Sequence, residues 1–132
     1  MRSQTLVVAI LVMSCGGGIG QSRETKLQEA IFVFNEAVRW GRVQQAIARV
    51  DPESQAQFIE QHKDFGKDLQ ITDYEIVSTT ISKDVTAQVG IQISWYRYSD
   101  MVAKTTVLMQ HWEERDKNWL LIAEEYRAGE PF

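Results

Sequence analysis

The spacing of apolar positions divides the chain into a helical first half and a strand-rich second half. In residues 22–42, apolar side chains recur at steps of three and four: Leu27, Ala30, Ile31, Phe34 and Val38. That spacing predicts an amphipathic helix that ends near Gly41. Phe32, Val33 and Trp40 widen the apolar stripe, which predicts that this helix packs on two sides.

Two shorter helical segments are predicted next. A second apolar stripe leads up to Asp51 and consists of Val43, Ala46, Ile47 and Val50. Asp51 and Pro52 indicate a new helix, because aspartate caps free N–H groups and proline fits the first helical position. This helix is predicted to run to about Gly66. One of its faces carries Phe58, His62 and Phe65.

After Leu69 the hydrophobic period changes to two, which is typical of strands. The alternating apolar positions are Val85, Ala87, Val89, Ile91, Ile93 and Trp95. They predict a long strand with one buried face. Three further strands are predicted, and they cover residues 70–79, 102–114 and 118–127. Polar turns separate the strands, so the predicted class is α+β, with N-terminal helices packed on a curved antiparallel four-stranded meander.

The last two predicted strands are apolar on both faces. Val107 and Met109 point one way, Leu108 and Trp112 point the other way, and residues 119–122 are apolar throughout. A helical layer covers only one face of such a sheet. The second face therefore predicts a sheet curved around a pocket, or an interface with a second copy or a partner protein.

Composition narrows the possible functions. The 132 residues are 44% hydrophobic and 24% charged, which indicates one globular domain. A net charge of −4 argues against a nucleic-acid partner. The two histidines have no HxxxH or HxH spacing, so no metal site is expected. The chain also lacks a P-loop, a G-x-S-x-G elbow and a dinucleotide-binding motif, and no cofactor is expected.

The single cysteine, Cys15, follows a positive residue, Arg2, an apolar run at residues 6–13, and Ser14. About eight apolar residues are too few for a membrane span, which takes roughly 20, but they suit a signal-peptide core. The alternative is an N-terminal core strand with a buried cysteine. The glycine-rich stretch after Cys15 has no packing signal and favours a flexible tether.

This order of features resembles the lipobox of bacterial lipoproteins. The resemblance implies that residues 1–14 are a signal peptide, that Cys15 becomes an acylated first residue, and that residues 15–21 form a lipidated tether. Residues 22–132 would then be a single domain held at the bacterial cell envelope by its lipid. Gly16 stands where an aspartate resembles an inner-membrane retention signal, so the outer membrane, on its periplasmic side, is expected in an organism with two membranes.

The order of elements resembles the nuclear transport factor 2-like superfamily, which has a cystatin-like α+β fold. The stretches that carry the resemblance are VRWGRVQQAI, DPESQAQF, AQVGIQISW and VLMQHWEERDKNWLLIAEEY. It implies a cone with an apolar cavity between helices and sheet, and dimers formed through the sheet. The superfamily includes ketosteroid isomerases, dehydratases and polyketide cyclases as well as non-catalytic binding and accessory domains, so fold alone leaves the function open.

A catalytic site in such a cavity needs a base and a hydrogen-bond donor. His111, beside Glu113, is the candidate base, with Tyr74 or Tyr126 as the donor. His62 is a second candidate, although a hydrogen-bonded core histidine is the usual occupant of an apolar helical face.

Candidate ligand-binding residues are Tyr74, Trp95 and Trp112, with core packing as the alternative for the tryptophans. The favoured hypothesis is a lipid-anchored, non-catalytic domain that binds a partner protein or a small apolar ligand. The alternative is a small-molecule isomerase or lyase that uses a histidine and a carboxylate in the cavity.

Overall fold

The computed structural model describes residues 22–83 and 85–132. The helical elements are α1 (Arg23–Arg39), α2 (Val43–Ile47), a 3-10 turn (Pro52–Ser54) and α3 (Gln55–Gln61). The strands are β1 (Leu69–Ile81), β2 (Thr86–Arg97), β3 (Lys104–Arg115) and β4 (Asn118–Gly129). They form one antiparallel sheet in the order β1-β2-β3-β4, which confirms the predicted α+β meander. The predicted signal peptide, Cys15 and tether lie outside the described residues.

Helix α1 begins at a serine cap and buries one face. The hydroxyl of Ser22 accepts a hydrogen bond from the backbone N–H of Thr25. The predicted stripe is buried and comprises Leu27, Ala30, Ile31, Phe34 and Val38. The prediction of packing on two sides is wrong, since Phe32 and Trp40 are 59% and 60% exposed. Among the described elements, α2, α3 and the sheet pack against α1, and they leave these two side chains largely exposed.

The helix predicted to start at Asp51 is shorter and is capped differently. Asp51 makes no side-chain cap, and Pro52–Ser54 form a 3-10 turn before α3. The carboxylate of Asp51 instead binds the guanidinium of Arg115, at the end of β3. Both partners of this hydrogen bond are charged, whereas a helix cap would offer the carboxylate only an uncharged N–H donor. A distant residue therefore decides the conformation of Asp51.

The inner face of the sheet forms the core together with α1. On β2 the predicted buried positions are confirmed for Ala87, Val89, Ile91, Ile93 and Trp95. Val85 departs from the prediction, because it lies in the turn before β2 and is 49% exposed.

The outer face of β3 and β4 is partly apolar. Its half-buried side chains include Val107, Met109, Leu120 and Ile122. A second copy or an envelope partner would pack on this face, and that expectation stays a prediction. No helix in the described part of the chain is long and apolar enough to cross a membrane.

Candidate functional site

A cavity of about 290 Å³ lies between the end of α3, the first half of β3 and the second half of β4. The residues that line it are Gln61, His62, Leu108, Glu124, Tyr126, Pro131 and Phe132. The backbone turns at Gly129, where φ is 82°, and Glu130 donates its N–H to the carbonyl of Thr105 at 2.9 Å. This turn brings Phe132 back over the cavity. Its ring centroid lies 5.1 Å from that of Trp95, so one wall of the cavity is apolar.

The cavity lining also includes a buried histidine–carboxylate pair. Nε2 of His62 lies 3.0 Å from Oε1 of Glu124, and the two side chains are only 5% and 8% exposed. Nδ1 of His62 lies 2.8 Å from the carbonyl oxygen of Phe58, one turn earlier in α3. The imidazole also stacks on the Phe58 ring at 3.9 Å. These contacts hold the imidazole in one orientation.

A polar network behind Glu124 connects the cavity to α1. Gln110 is fully buried and donates through Nε2 to Oε2 of Glu124 at 3.0 Å and to Oδ1 of Asn35 at 2.9 Å. Asn35 donates to the carbonyl of Ile31 at 2.8 Å, and the indole of Trp112 donates to Oε1 of Gln110 at 3.3 Å. Because nearly every polar atom is engaged, the network orients the Glu124 carboxylate.

One oxygen of Glu124 lies against the imidazole of His62. Oε1 accepts no well-aligned hydrogen bond from the described residues, although His62 is at ion-pair distance. A buried carboxylate is costly without such neighbours, so Gln110 and His62 stabilise Glu124 beside the cavity. No group of three or more histidine, cysteine, aspartate or glutamate side chains in the described ranges could hold a metal ion.

The structure separates His111 and Glu113 from the cavity. Gln110 and Trp112 are buried on the inner face of β3, so strand alternation turns His111 and Glu113 to the outer face. Nε2 of His111 lies 2.9 Å from Oε1 of Glu125, on the same outer face. His111 and Glu113 therefore lie outside this cavity and line a separate pocket of about 250 Å³.

The other candidates occupy three different environments. Tyr126 lines the cavity mouth and donates its hydroxyl to the carbonyl of Gly129. Trp95 lies behind Phe132, where its indole N–H donates to Thr106 at 2.7 Å. Trp112 is 1% exposed and packs edge-on against Phe34 within the core.

Tyr74 lies on the edge strand β1, outside the cavity lining, and makes a pH-dependent contact. Its hydroxyl donates to Oε1 of Glu36 on α1 at 3.0 Å. Burial and the Glu36 carboxylate raise the pKa of Tyr74 to about 12. Since the unfolded chain has a tyrosine pKa of about 10, this contact stabilises the fold fully below that pH. The stabilisation is lost as the pH rises from about 10 to about 12.

We therefore expect Tyr74→Phe to reduce the alkaline loss of stability. The measurement is urea unfolding of both proteins at about pH 9 and about pH 11. The stability advantage of the parent over Tyr74→Phe should shrink at the higher pH. The other tyrosines titrate in both proteins, so their effect cancels in the difference. If the stability advantage of the parent is equal at the two pH values, the raised pKa is not a property of Tyr74.

Glu124 is the central site residue that the sequence pattern does not reveal. Alternation from the buried Leu121 would place Ala123 on the inner face and Glu124 on the outer face. A β-bulge in β4 reverses this, because His111 pairs with Ala123 while Trp112 pairs with Leu121, and Ile122 is the extra residue. The bulge thus turns Glu124 into the cavity, opposite Gln110.

Comparisons with known proteins support the fold. No protein-family model and no curated protein sequence matches the chain. A domain from Exiguobacterium sibiricum, named as a candidate calcium/calmodulin-dependent kinase II association domain, superposes with a TM-score of 0.68 at 9% identity, covering 86% of this chain and 98% of that one. An NTF2-like protein from Cytophaga hutchinsonii gives 0.62 at 14% identity, covering 82% and 99%.

A third structure, a Nostoc punctiforme protein of unknown function with a cystatin-like fold, has a TM-score of 0.56 at 11% identity, covering 78% of this chain and 88% of that one. The chain has the NTF2-like fold. The predicted fold resemblance is confirmed at that level, and the lipobox stays a prediction. At these identities the likeness is one of architecture, so function has to be argued from the site.

Proposed function

We propose that the protein is a lipid-anchored envelope protein whose NTF2-like domain binds, without catalysis, a small ligand with an apolar body and a hydrogen-bond-donating head. The observation that carries this proposal is the carboxylate of Glu124, which lines a cavity that also contains the apolar side chains of Leu108 and Phe132.

The dimensions and lining of the cavity define the ligand class. At about 290 Å³ the cavity is near the lower end of the usual range for ligand sites, which begins at roughly 300 Å³. Leu108, Tyr126 and Phe132 offer contact area to an apolar body. Glu124 favours an ammonium, amine or hydroxyl head group, because a carboxylate accepts charge-assisted hydrogen bonds. It disfavours a carboxylate head group by repulsion.

Binding explains the site better than the isomerase or lyase alternative. A general base has to be free to take a proton from the substrate, and an oxyanion needs a separate donor. Nδ1 of His62 contacts a backbone carbonyl, and Nε2 faces Glu124. The hydroxyl of Tyr126 is already donated to Gly129. The arrangement therefore favours holding a ligand over moving its protons.

The lipid anchor in this proposal rests on the sequence before the domain. Arg2, the apolar run at residues 6–13, Ser14 and Cys15 support cleavage before Cys15 and acylation of its thiol. Buried acyl chains give stable attachment when several act together. The domain would then act at the envelope, on the periplasmic side of the outer membrane where two membranes exist.

A titration with short amphiphiles of equal chain length tests the ligand class. The probes are hexylamine, hexanol and hexanoate, added to residues 22–132, with chemical shifts of His62 and Tyr126 as the readout. A charge-assisted hydrogen bond contributes about 1.5–3 kcal/mol, so hexylamine should bind at least about tenfold more tightly than hexanoate. Equal affinities, or no saturable binding of any probe, would refute the proposal.

Two matched substitutions identify the responsible carboxylate. Glu124→Gln removes the charge inside the cavity and should abolish the preference for hexylamine. Glu125→Gln removes the same charge from the next residue, which faces away from the cavity, and should keep the preference. Thermal unfolding of both variants shows whether each is folded. A preference for hexylamine that survives in folded Glu124→Gln would contradict the role of Glu124.

A further inference from the structure

A second, smaller pocket lies at the opposite end of the domain and is rich in cations. It has a volume of about 210 Å³, and its lining residues are Lys26, Glu29, Arg49, Lys117, Asn118 and Trp119. Three cations and one carboxylate meet here in a chain whose net charge is −4. The neighbouring carboxylate of Asp116 does not line the pocket.

The three cations of this pocket have no acidic partner in the part of the chain that the structure describes. Among the described residues, no carboxylate lies within ion-pair distance of Lys26, Arg49 or Lys117. Most other cations of the domain are paired, as Arg23 is with Glu114 at 2.8 Å. Converging unpaired cations favour binding of an anion.

The pocket lies beside the point where the chain enters the domain. The indole N–H of Trp119 donates to the carbonyl of Arg23, the first residue of α1, at 3.3 Å. Six residues separate Cys15 from Ser22, and even a fully extended chain of that length spans at most about 25 Å. A lipid on Cys15 would therefore keep this end of the domain close to the membrane surface.

We infer that Lys26, Arg49 and Lys117 contact anionic phospholipid head groups, and that this contact orients the domain on the membrane. The inference rests on the proposed acylation of Cys15. Lysine and arginine near an anionic bilayer are attracted to it within a Debye length. Their N–H groups, with the Asn118 amide, match the oxygen acceptors of lipid phosphates.

This contact directs the cavity away from the bilayer. Strand β4 runs from Trp119 at the cationic pocket to Tyr126 at the cavity mouth. Seven residues of strand correspond to about 23 Å. With the cationic pocket on the head groups, the cavity opens toward the aqueous compartment, and its ligand arrives from solution rather than from the lipid.

A second cationic groove serves as an internal comparison. It has a volume of about 570 Å³, and its lining includes Arg42, Lys63 and Lys67. This groove lies at the far end of α1, and 17 helical residues place that end about 25 Å from the start of the helix. The tether thus favours the pocket at Lys26 as the membrane contact, although both sites carry three cations.

Head-group quenching in vesicles tests the orientation on the full acylated protein. The vesicles contain phosphatidylcholine with about 30 mol% phosphatidylglycerol and a head-group quencher, and a fluorophore is attached at Lys83→Cys or at Val102→Cys. Lys83 lies in the turn at the cationic end of the sheet, and Val102 lies in the turn at the other end. Quenching at position 83 should exceed quenching at position 102 by about threefold.

Two charge variants locate the contact. A first triple variant should reduce the difference between the two positions to the part that the tether alone gives; its substitutions are Lys26→Gln, Arg49→Gln and Lys117→Gln. A second triple variant removes the same charge from the distant groove and should preserve the difference in quenching. Its substitutions are Arg42→Gln, Lys63→Gln and Lys67→Gln. Equal quenching at the two positions in the parent protein would overturn the inference, as would a difference that the first triple substitution leaves unchanged or that is equally large in pure phosphatidylcholine.

A separate measurement distinguishes failure of acylation from failure of the cationic pocket to bind lipid. Mass spectrometry of the N-terminal peptide shows whether Cys15 carries lipid before any vesicle is used. If it does not, the proposed anchor fails, and flotation of the unacylated protein tests the cationic pocket alone. Binding to phosphatidylglycerol vesicles that the first triple substitution abolishes would still support the pocket, whereas no binding would reject it.

Discussion

Alanine at Gly41 is expected to lower the free energy of unfolding by about 3 kcal/mol. Gly41 has a φ of 70°, in the left-handed region that disfavours a side chain. A Cβ at this position would lie 2.5 Å from the Cα of Gly66, well inside contact distance. The cost has two parts, backbone strain and separation of the two chain segments.

The contact is reciprocal, which supplies a second test. Gly66 has a φ of 77°, and a Cβ there would lie 2.6 Å from the Cα of Gly41. Gly66→Ala should therefore cost about as much as Gly41→Ala. The double variant should cost less than the sum, because the first methyl group already separates the two backbones.

Urea unfolding measures these effects, with Arg42→Ala as the matched control. Arg42 is adjacent to Gly41 and exposed, so its truncation should change stability by no more than about 0.5 kcal/mol. A Gly41→Ala protein with the same urea midpoint and slope as Arg42→Ala would show that the two glycine backbones do not meet.

Cys15→Ala is expected to abolish acylation and release the protein from the membrane fraction. Without the thiol no diacylglycerol can be attached, and each buried methylene that is lost removes about 0.8 kcal/mol of membrane affinity. The measurement is incorporation of labelled palmitate in growing cells, followed by separation of membrane and soluble fractions.

Ser14→Ala is the matched control for this experiment. It keeps a small residue before Cys15, so labelling and membrane attachment should be retained. Palmitate that remains on the Cys15→Ala protein would refute the lipid assignment. A Ser14→Ala protein that also loses its label would show instead that processing needs the serine itself.

The helices and strands were predictable where local periodicity carried the information. The stripe that includes Leu27, Ile31 and Phe34 predicts α1, and the alternation from Ala87 to Trp95 predicts β2; both are confirmed. The capping role of Asp51 was not predictable, because its partner Arg115 lies 64 residues later in the chain. Local rules fail where a distant charge competes for the same side chain.

The site was predictable only in part. His62 and Tyr126 were candidates from the sequence, and the structure places both at the cavity. For the other site residues, the outcome depended on which face of the sheet each strand position occupies. His111 lies on the outer face of β3, and the bulge at Ile122 moves Glu124 to the inner face. A shift of one residue changes which face every later side chain occupies.

The sequence by itself determined the α+β class, the order of the elements and the apolar surfaces that form the core, because these follow from periodicities of two and 3.6 residues. It also predicts a signal peptide over residues 1–14 and acylation of Cys15, which stay predictions. Only the tertiary structure decided that Glu124 faces the cavity, that Gln110 orients it, and that the cationic pocket and the cavity lie at opposite ends of β4. These features depend on a bulge and on contacts between residues distant in the chain, which no local pattern encodes.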